Sequence, residues 1–262
     1  MVRGSVLPLL LAAPLTAGDR AETPELAVAL RLHSPSLHAA LVFDLKPGWH
    51  LYWTNPGDSG LPPEVRWKLP AGWRAEPLPL PVPERQVGPG GVDFLLARRV
   101  VLLARLVPPA DWKGGPVAVE ADADWLACEA ACVPGRARLS ARRGETATAL
   151  SEADFATARA ALPRPLADAT GLRLGTPRLE TVPGRWILTL PLEGPEAEQA
   201  SAFFPEVPEG FAVDHGGIRV SATGLVVPLI PSGPGVRLSV LRGVLRLKDR
   251  GVALAVPVPT NP

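Results

Sequence analysis

The sequence predicts an all-β chain of two tandem β-sandwiches joined by a short helical linker. Three observations carry that expectation. Apolar residues recur in short runs, many of them alternating with polar ones and closed by turn residues. The 262 residues include 32 prolines and 25 glycines, which break up helices of more than a few turns. Only Ser151-Glu152-Ala153-Asp154 has a helix-capping start, and the helix it opens runs through Leu162 to the stop Pro163-Arg164-Pro165. The length gives ample chain for hydrophobic cores, so the fold does not need a disulfide to exist. Charged residues make up 20% and the net charge is +1, which argues against a nucleic-acid surface and against binding to acidic lipid.

The N-terminus has a short basic start, Met1-Val2-Arg3, then an apolar run from Ser5 to Ala17 with small residues at its end. It has the layout of a signal peptide, and Pro8 and Pro14 disfavour a membrane span. Export places the mature chain in a compartment where disulfides persist. The organisation expected is a signal peptide over 1–20, a first sandwich over 21–145, a helical linker over 146–165 and a second sandwich over 166–262.

In the first half, Leu26 to Leu32 and Leu37 to Leu45 form an opening pair of strands. Trp49-His50-Leu51-Tyr52-Trp53 is an aromatic strand running into the turn-rich Asn55-Pro56-Gly57-Asp58-Ser59-Gly60. Val65 to Leu69 and Gly72-Trp73-Arg74 continue the pattern, and Pro77 to Pro83 is an extended edge. Gln86 to Leu95 is expected as a glycine-rich loop with an apolar tip. Arg99 to Val107 and Val117 to Leu126 are strong strands, and Arg136 to Ser140 closes the sandwich. Six of the seven tryptophans fall from Trp49 to Trp125, which assigns the aromatic core to this half. The second half repeats short strands around Leu172, Arg185 to Leu192, Ile218 to Val220, Gly224 to Ile230, Arg237 to Leu241 and Val252 to Pro257.

Hydrolytic chemistry has no support: there is no Gly-x-Ser-x-Gly, and His33, His38, His50 and His215 occupy no metal-ligand spacing. They are expected as ordinary surface or strand residues, His215 within a plain turn. The chemistry rests on Cys128 and Cys132, the two cysteines of the chain. A structural staple across so small a loop removes only about 2 kcal/mol of unfolded-chain entropy, so redox use is the more economical reading. Cu(I) binding is the runner-up, but the single methionine is Met1 and no histidine flanks the pair. A non-catalytic interaction module is a third class. Asp122, Asp124 and Glu129 are the local charges, with Arg136 the first nearby base, which predicts thiols without a strongly lowered pKa.

Gly48-Trp49-His50-Leu51-Tyr52-Trp53-Thr54-Asn55-Pro56-Gly57-Asp58, Pro81-Val82-Pro83-Glu84-Arg85, and Trp125-Leu126-Ala127-Cys128 with Cys132-Val133-Pro134 resemble the periplasmic N-terminal domain of the DsbD/ScsB thiol:disulfide interchange proteins. In the second half, Phe203-Phe204-Pro205-Glu206 and Asp214-His215 are similar to the ScsB-type extension. The resemblance implies immunoglobulin-like sandwiches and a pair that takes electrons from a membrane-embedded donor and passes them to periplasmic thioredoxin-like or disulfide-bearing clients. It implies no cofactor and no metal. By that analogy Cys132 attacks the client and Cys128 resolves the mixed disulfide. Val92-Asp93-Phe94-Leu95 stands where the family has a cap, with Phe94 as the shield and Asp93 beside it, while Trp125, Glu129 and Tyr52 support the pair. Family members continue into membrane and thioredoxin-like domains, so this chain is expected as a periplasmic stand-alone module or an ectodomain of a membrane protein.

Overall fold

Alternation of apolar and polar residues builds eleven antiparallel strands in the first half. They are β1 (Arg20–Glu22), β2 (Leu26–His33), β3 (His38–Leu45), β4 (His50–Gly57), β5 (Glu64–Lys68), β6 (Arg74–Pro77), β7 (Glu84–Gly88), β8 (Gly91–Ala97), β9 (Arg99–Val107), β10 (Ala118–Cys128) and β11 (Cys132–Arg142). The structure, a computed structural model, describes residues 18–248 and 250–258. The apolar run expected as a signal peptide lies, through residue 17, outside the described residues. One sheet has the order β1-β2-β3-β9-β6 and the other β11-β10-β4-β8-β7, with β5 pairing β10 beside β4. Leu26, Val28 and Leu30 from the first sheet face Leu51, Trp53, Phe94, Val119, Ala121 and Trp125 from the second, a period-two division that leaves the residues between them on the outer faces. The tryptophans expected in this core lie in it or against its edge.

The helix α1 (Glu152–Ala160) starts at Ser151, whose hydroxyl accepts from the Asp154 N–H. It is more than a connector. Ala158, Leu162 and Phe155 pack with Ala40, Val42 and Leu103 on the outer face of the first sheet, so β3 is covered on both sides. His33 stacks on Phe155 with ring centroids 3.9 Å apart, and its Nε2 lies 2.8 Å from a Glu152 carboxylate oxygen. His33 and His38 are strand residues, within the expectation, but they and His215 are buried and not on the surface.

The second sandwich comprises β12 (Arg164–Pro165), β13 (Arg173–Leu174), β14 (Arg178–Val182), β15 (Arg185–Glu193), β16 (Ala200–Pro205), β17 (Phe211–Val213), β18 (Arg219–Ser221), β19 (Gly224–Pro231), β20 (Val240–Leu247) and β21 (Arg250–Pro257). Its sheets are β12-β21-β20-β16 and β13-β15-β19-β17, with β14 added to β15 and β18 to β19. Leu188, Leu190, Leu225, Leu245 and Leu254 fill the space between them.

The two sandwiches share a core. Phe204 and Val244 of the second belong to the apolar cluster of the first, and Phe94 meets Phe204 edge-on with centroids 5.1 Å apart. A buried hydrogen-bond set closes the seam. Asn55 Nδ2 donates to the Pro205 carbonyl at 2.8 Å and lies 3.1 Å from His215 Nε2, while Asn55 Oδ1 accepts from the Gly57 N–H. Turning the amide over would break both backbone bonds, so Nδ2 faces His215 as a donor and His215 Nε2 accepts. The imidazole proton then resides on Nδ1 and is donated to Asp58 Oδ1 at 2.8 Å. The turn expected to have no further purpose is thus a junction. Burial raises the Asp58 pKa, but the Val92 N–H and His215 outweigh it and hold the carboxyl below its ordinary value.

Two outcomes follow for stability. Phe204→Ala should cost about 3–5 kcal/mol and destabilise both sandwiches together, read as a shift of the urea midpoint followed by tryptophan fluorescence. A carboxyl with a depressed folded pKa gives stability that is present above its unfolded value near 4 and lost as the pH falls through the folded one. Asp58→Asn should therefore lower stability at pH 7 and flatten the loss of stability below about pH 4, measured by urea unfolding across that range.

Candidate functional site

Strands β10 and β11 form a long hairpin, in register from Ala118 opposite Arg142 to Cys128 opposite Cys132. The cysteines are the last pair before the turn Glu129-Ala130-Ala131, and a disulfide joins them with Cα atoms 4.1 Å apart. Strand parity decides which way they point. Val119, Ala121, Ala123, Trp125 and Ala127 face the core, so Leu126 and Cys128 face outward. Trp125 packs edge-on against Phe43 beneath them, and Gly135 admits its indole: a Cβ there would lie 2.3 Å from the ring.

On that outer face, Cys128 packs with Tyr52, Leu95 and Leu126. Tyr52 of β4 is opposite Leu95 of β8, and His50 lies opposite both Ala97 and Cys128. The backbone of Gly60, at φ +81°, crosses the Tyr52 ring so closely that any Cβ would fall 2.3 Å from it. The neighbouring Leu61 is exposed at 65%, and Val133 beside Cys132 is exposed as well. The two sulfur-bearing residues differ sharply: Cys128 is 2% exposed, whereas Cys132 is an exposed residue at the rim. A groove of about 840 Å³ runs alongside, lined by Gly48, His50, Leu95, Ala97, Arg85 and Arg98 among others.

The sequence-predicted residues fall into two groups. Tyr52 lies on Cys128, Trp125 supports the hairpin from the core side, and the Glu129 carboxylate lies against Gly48. Phe94 does not lie on the pair. Val92 to Leu95 belong to a regular strand of the β7–β8 hairpin, not to a loop, and Phe94 points inward to Phe204 and His215 with 0% exposure. The side chain of that strand that touches Cys128 is its neighbour Leu95. Asp93 accepts from the Ser59 N–H and hydroxyl, tying β8 to the loop that crosses Tyr52.

The acidic surroundings read from the sequence are also different in space. Asp122 is bonded by Lys68 and Arg138, which lower its pKa to about 2, and Asp124 by Arg136 and Arg66, which lower it too. Four cations thus cancel these two carboxylates. His50 went unremarked among the residues around the cysteines. Its signal was present in the sequence as an alternate position of the Trp49–Trp53 strand, but only the pairing of β4 with β10 brings it to the pair. Burial pushes its imidazole below the ordinary histidine value, against the opposing pull of Asp93 and a backbone hydrogen bond at Gly48. Among the described residues no group of three or more His, Cys, Asp or Glu is placed to hold a metal ion.

Residues 19–143 match the family model described as thiol:disulfide interchange protein DsbD, N-terminal. No curated protein matches the chain at a significant level. Among solved structures, the N-terminal periplasmic domain of ScsB from Proteus mirabilis is similar, with a TM-score of 0.67 and 16% identity over 92% of this chain and 98% of that one. At that identity the likeness is one of fold, and its extent takes in both sandwiches. Residues 19–143, the part of the chain that matches this family model, form the sandwich that carries the Cys128–Cys132 bridge.

Proposed function

We propose that the chain is a periplasmic thiol:disulfide interchange module that relays electrons from a DsbD-like membrane partner to oxidised proteins through Cys128 and Cys132. The observation that carries this reading is the asymmetry of the bridge in a domain that matches this family model: one cysteine buried under Tyr52 and Leu95, the other exposed at a hairpin tip. A staple would join elements not otherwise held, but here ladder pairing already holds the two strands up to the bridge itself. The disulfide adds little to the scaffold.

The chemistry follows from access. In the dithiol form the Cys132 thiolate attacks a sulfur of the client disulfide, and the other client sulfur leaves as a thiolate. Cys128 then attacks Cys132 Sγ and breaks the mixed disulfide, which releases the second client sulfur and re-forms the internal bridge. Two electrons have passed to the client, and the membrane partner restores the dithiol by the reverse exchange. Cys128 cannot begin this sequence, because its neighbours bar a protein-sized disulfide. The exposed Leu61 and Val133 provide apolar contact for the docked partner.

Cys128→Ser should leave Cys132 able to capture clients as mixed disulfides on non-reducing gels, while Cys132→Ser captures far fewer. Equal capture by the two variants would remove the assigned order, and no capture by either would remove the interchange reading. The bridge should equilibrate with glutathione buffers at a potential above about −300 mV, the range of structural disulfides. Leu95→Ala should speed reduction of the bridge by glutathione at unchanged fold, measured by single-turnover thiol labelling. An unchanged rate would mean that Leu95 does not shield Cys128.

A further inference from the structure

Pairing between β4 and β10 sets His50 directly opposite Cys128 on the outer face. Residues so opposed have Cβ atoms about 4.5–5.5 Å apart, which puts the sulfur within reach of the imidazole. The ring is held by Tyr52, which meets it edge-on with centroids 5.3 Å apart, and Tyr52 is itself pinned by Leu95 and the Gly60 backbone. We propose that His50 takes the proton of the Cys128 thiol in the resolving half of the exchange and returns it to the departing client sulfur. This assignment rests on the interchange reading above.

The step balances without a further reactant. With Cys132 bound to the client, the Cys128 S–H proton passes to an imidazole nitrogen. The Cys128 thiolate forms the S–S bond to Cys132 Sγ, the bond from Cys132 to the client breaks, and the client thiolate takes the proton from the imidazolium. The base must be neutral beforehand, and burial keeps it so at pH 7. The charges around it do not oppose the transient cation. Asp93 of β8 attracts it, and Glu129 approaches from the hairpin turn against Gly48. In the adjoining groove Arg98 and Arg99 are paired with Glu84 and Asp44, which leaves Lys46 and Arg85 as the cations to offset.

The test uses the whole chain in its dithiol form with 5,5′-dithiobis(2-nitrobenzoate), an aromatic disulfide that reports each step by release of one coloured thiolate. The first release follows Cys132 attack and the second follows resolution by Cys128. His50→Gln should slow the second release about tenfold or more at pH 7 and leave the first unchanged. The second release should then climb with pH toward the thiol range near 8.5, where wild type is already flat. Identical second-release profiles in wild type, His50→Gln and His50→Ala would overturn the proposal. In a Cys132→Ser background, ultraviolet titration of the Cys128 thiolate should give a higher apparent pKa once His50 is replaced, and an unchanged pKa would also overturn it. Because the probe is a small molecule, a shifted profile without protein capture by Cys128→Ser would discard the interchange reading and keep the proton role. Capture with an unmoved profile would do the opposite.

Discussion

The alternation of strand β4 is the constraint on which the rest of the structure depends. Within one extended segment, Leu51 and Trp53 enter the core while His50 and Tyr52 turn to the outer face beside Cys128. A few residues further on, Asn55 reaches the second sandwich. A one-residue slip would invert every one of these placements, removing the cover from the disulfide and the anchor from the core together. The strand cannot slip, because Trp53 and Leu51 are buried on one side and the Gly60 backbone lies against Tyr52 on the other.

The same segment makes the second sandwich part of the architecture of the first. Phe204 fills a place in the first core, and Asn55, His215 and Asp58 satisfy one another across the seam. Asp58 also accepts from Val92 at the start of β8, the strand whose Leu95 covers Cys128. The cover of the disulfide and the docking of the second sandwich are thus held by adjoining residues of two neighbouring strands. Arg246, over the Phe204 ring and bonded to the Pro83 carbonyl, closes the far side of that contact.

Much of this was legible in the residues. Short alternating runs gave the strands, Ser151 gave the start of α1, and the two cysteines marked the hairpin tip where the disulfide forms. The parts that escaped share a cause: they depend on which elements become neighbours. Phe94 and Leu95 differ by one position, and the aromatic looked the better shield until the register of β8 against β4 turned it inward. With Arg136 the first base nearby in sequence, Asp122 and Asp124 looked like a mostly acidic approach to the thiols, yet β5 and β11 bring Lys68, Arg66 and Arg138 to them as well. His215 resembled a turn residue because its partners Asn55 and Asp58 lie more than 150 positions away.

The hairpin that carries the bridge has a bearing on recognition. Its strands are bonded in register along their whole length, so opening the disulfide frees only the tip from Glu129 to Ala131 and leaves the ladder intact. Oxidised and reduced molecules then offer nearly the same surface to everything that meets them. Under the proposed interchange, an electron donor and an electron acceptor would compete for one docking face, separated by the chemical state of a few atoms at the rim. Turnover in such a system is governed by how quickly each partner leaves after exchange, which favours weak, short-lived complexes over tight ones.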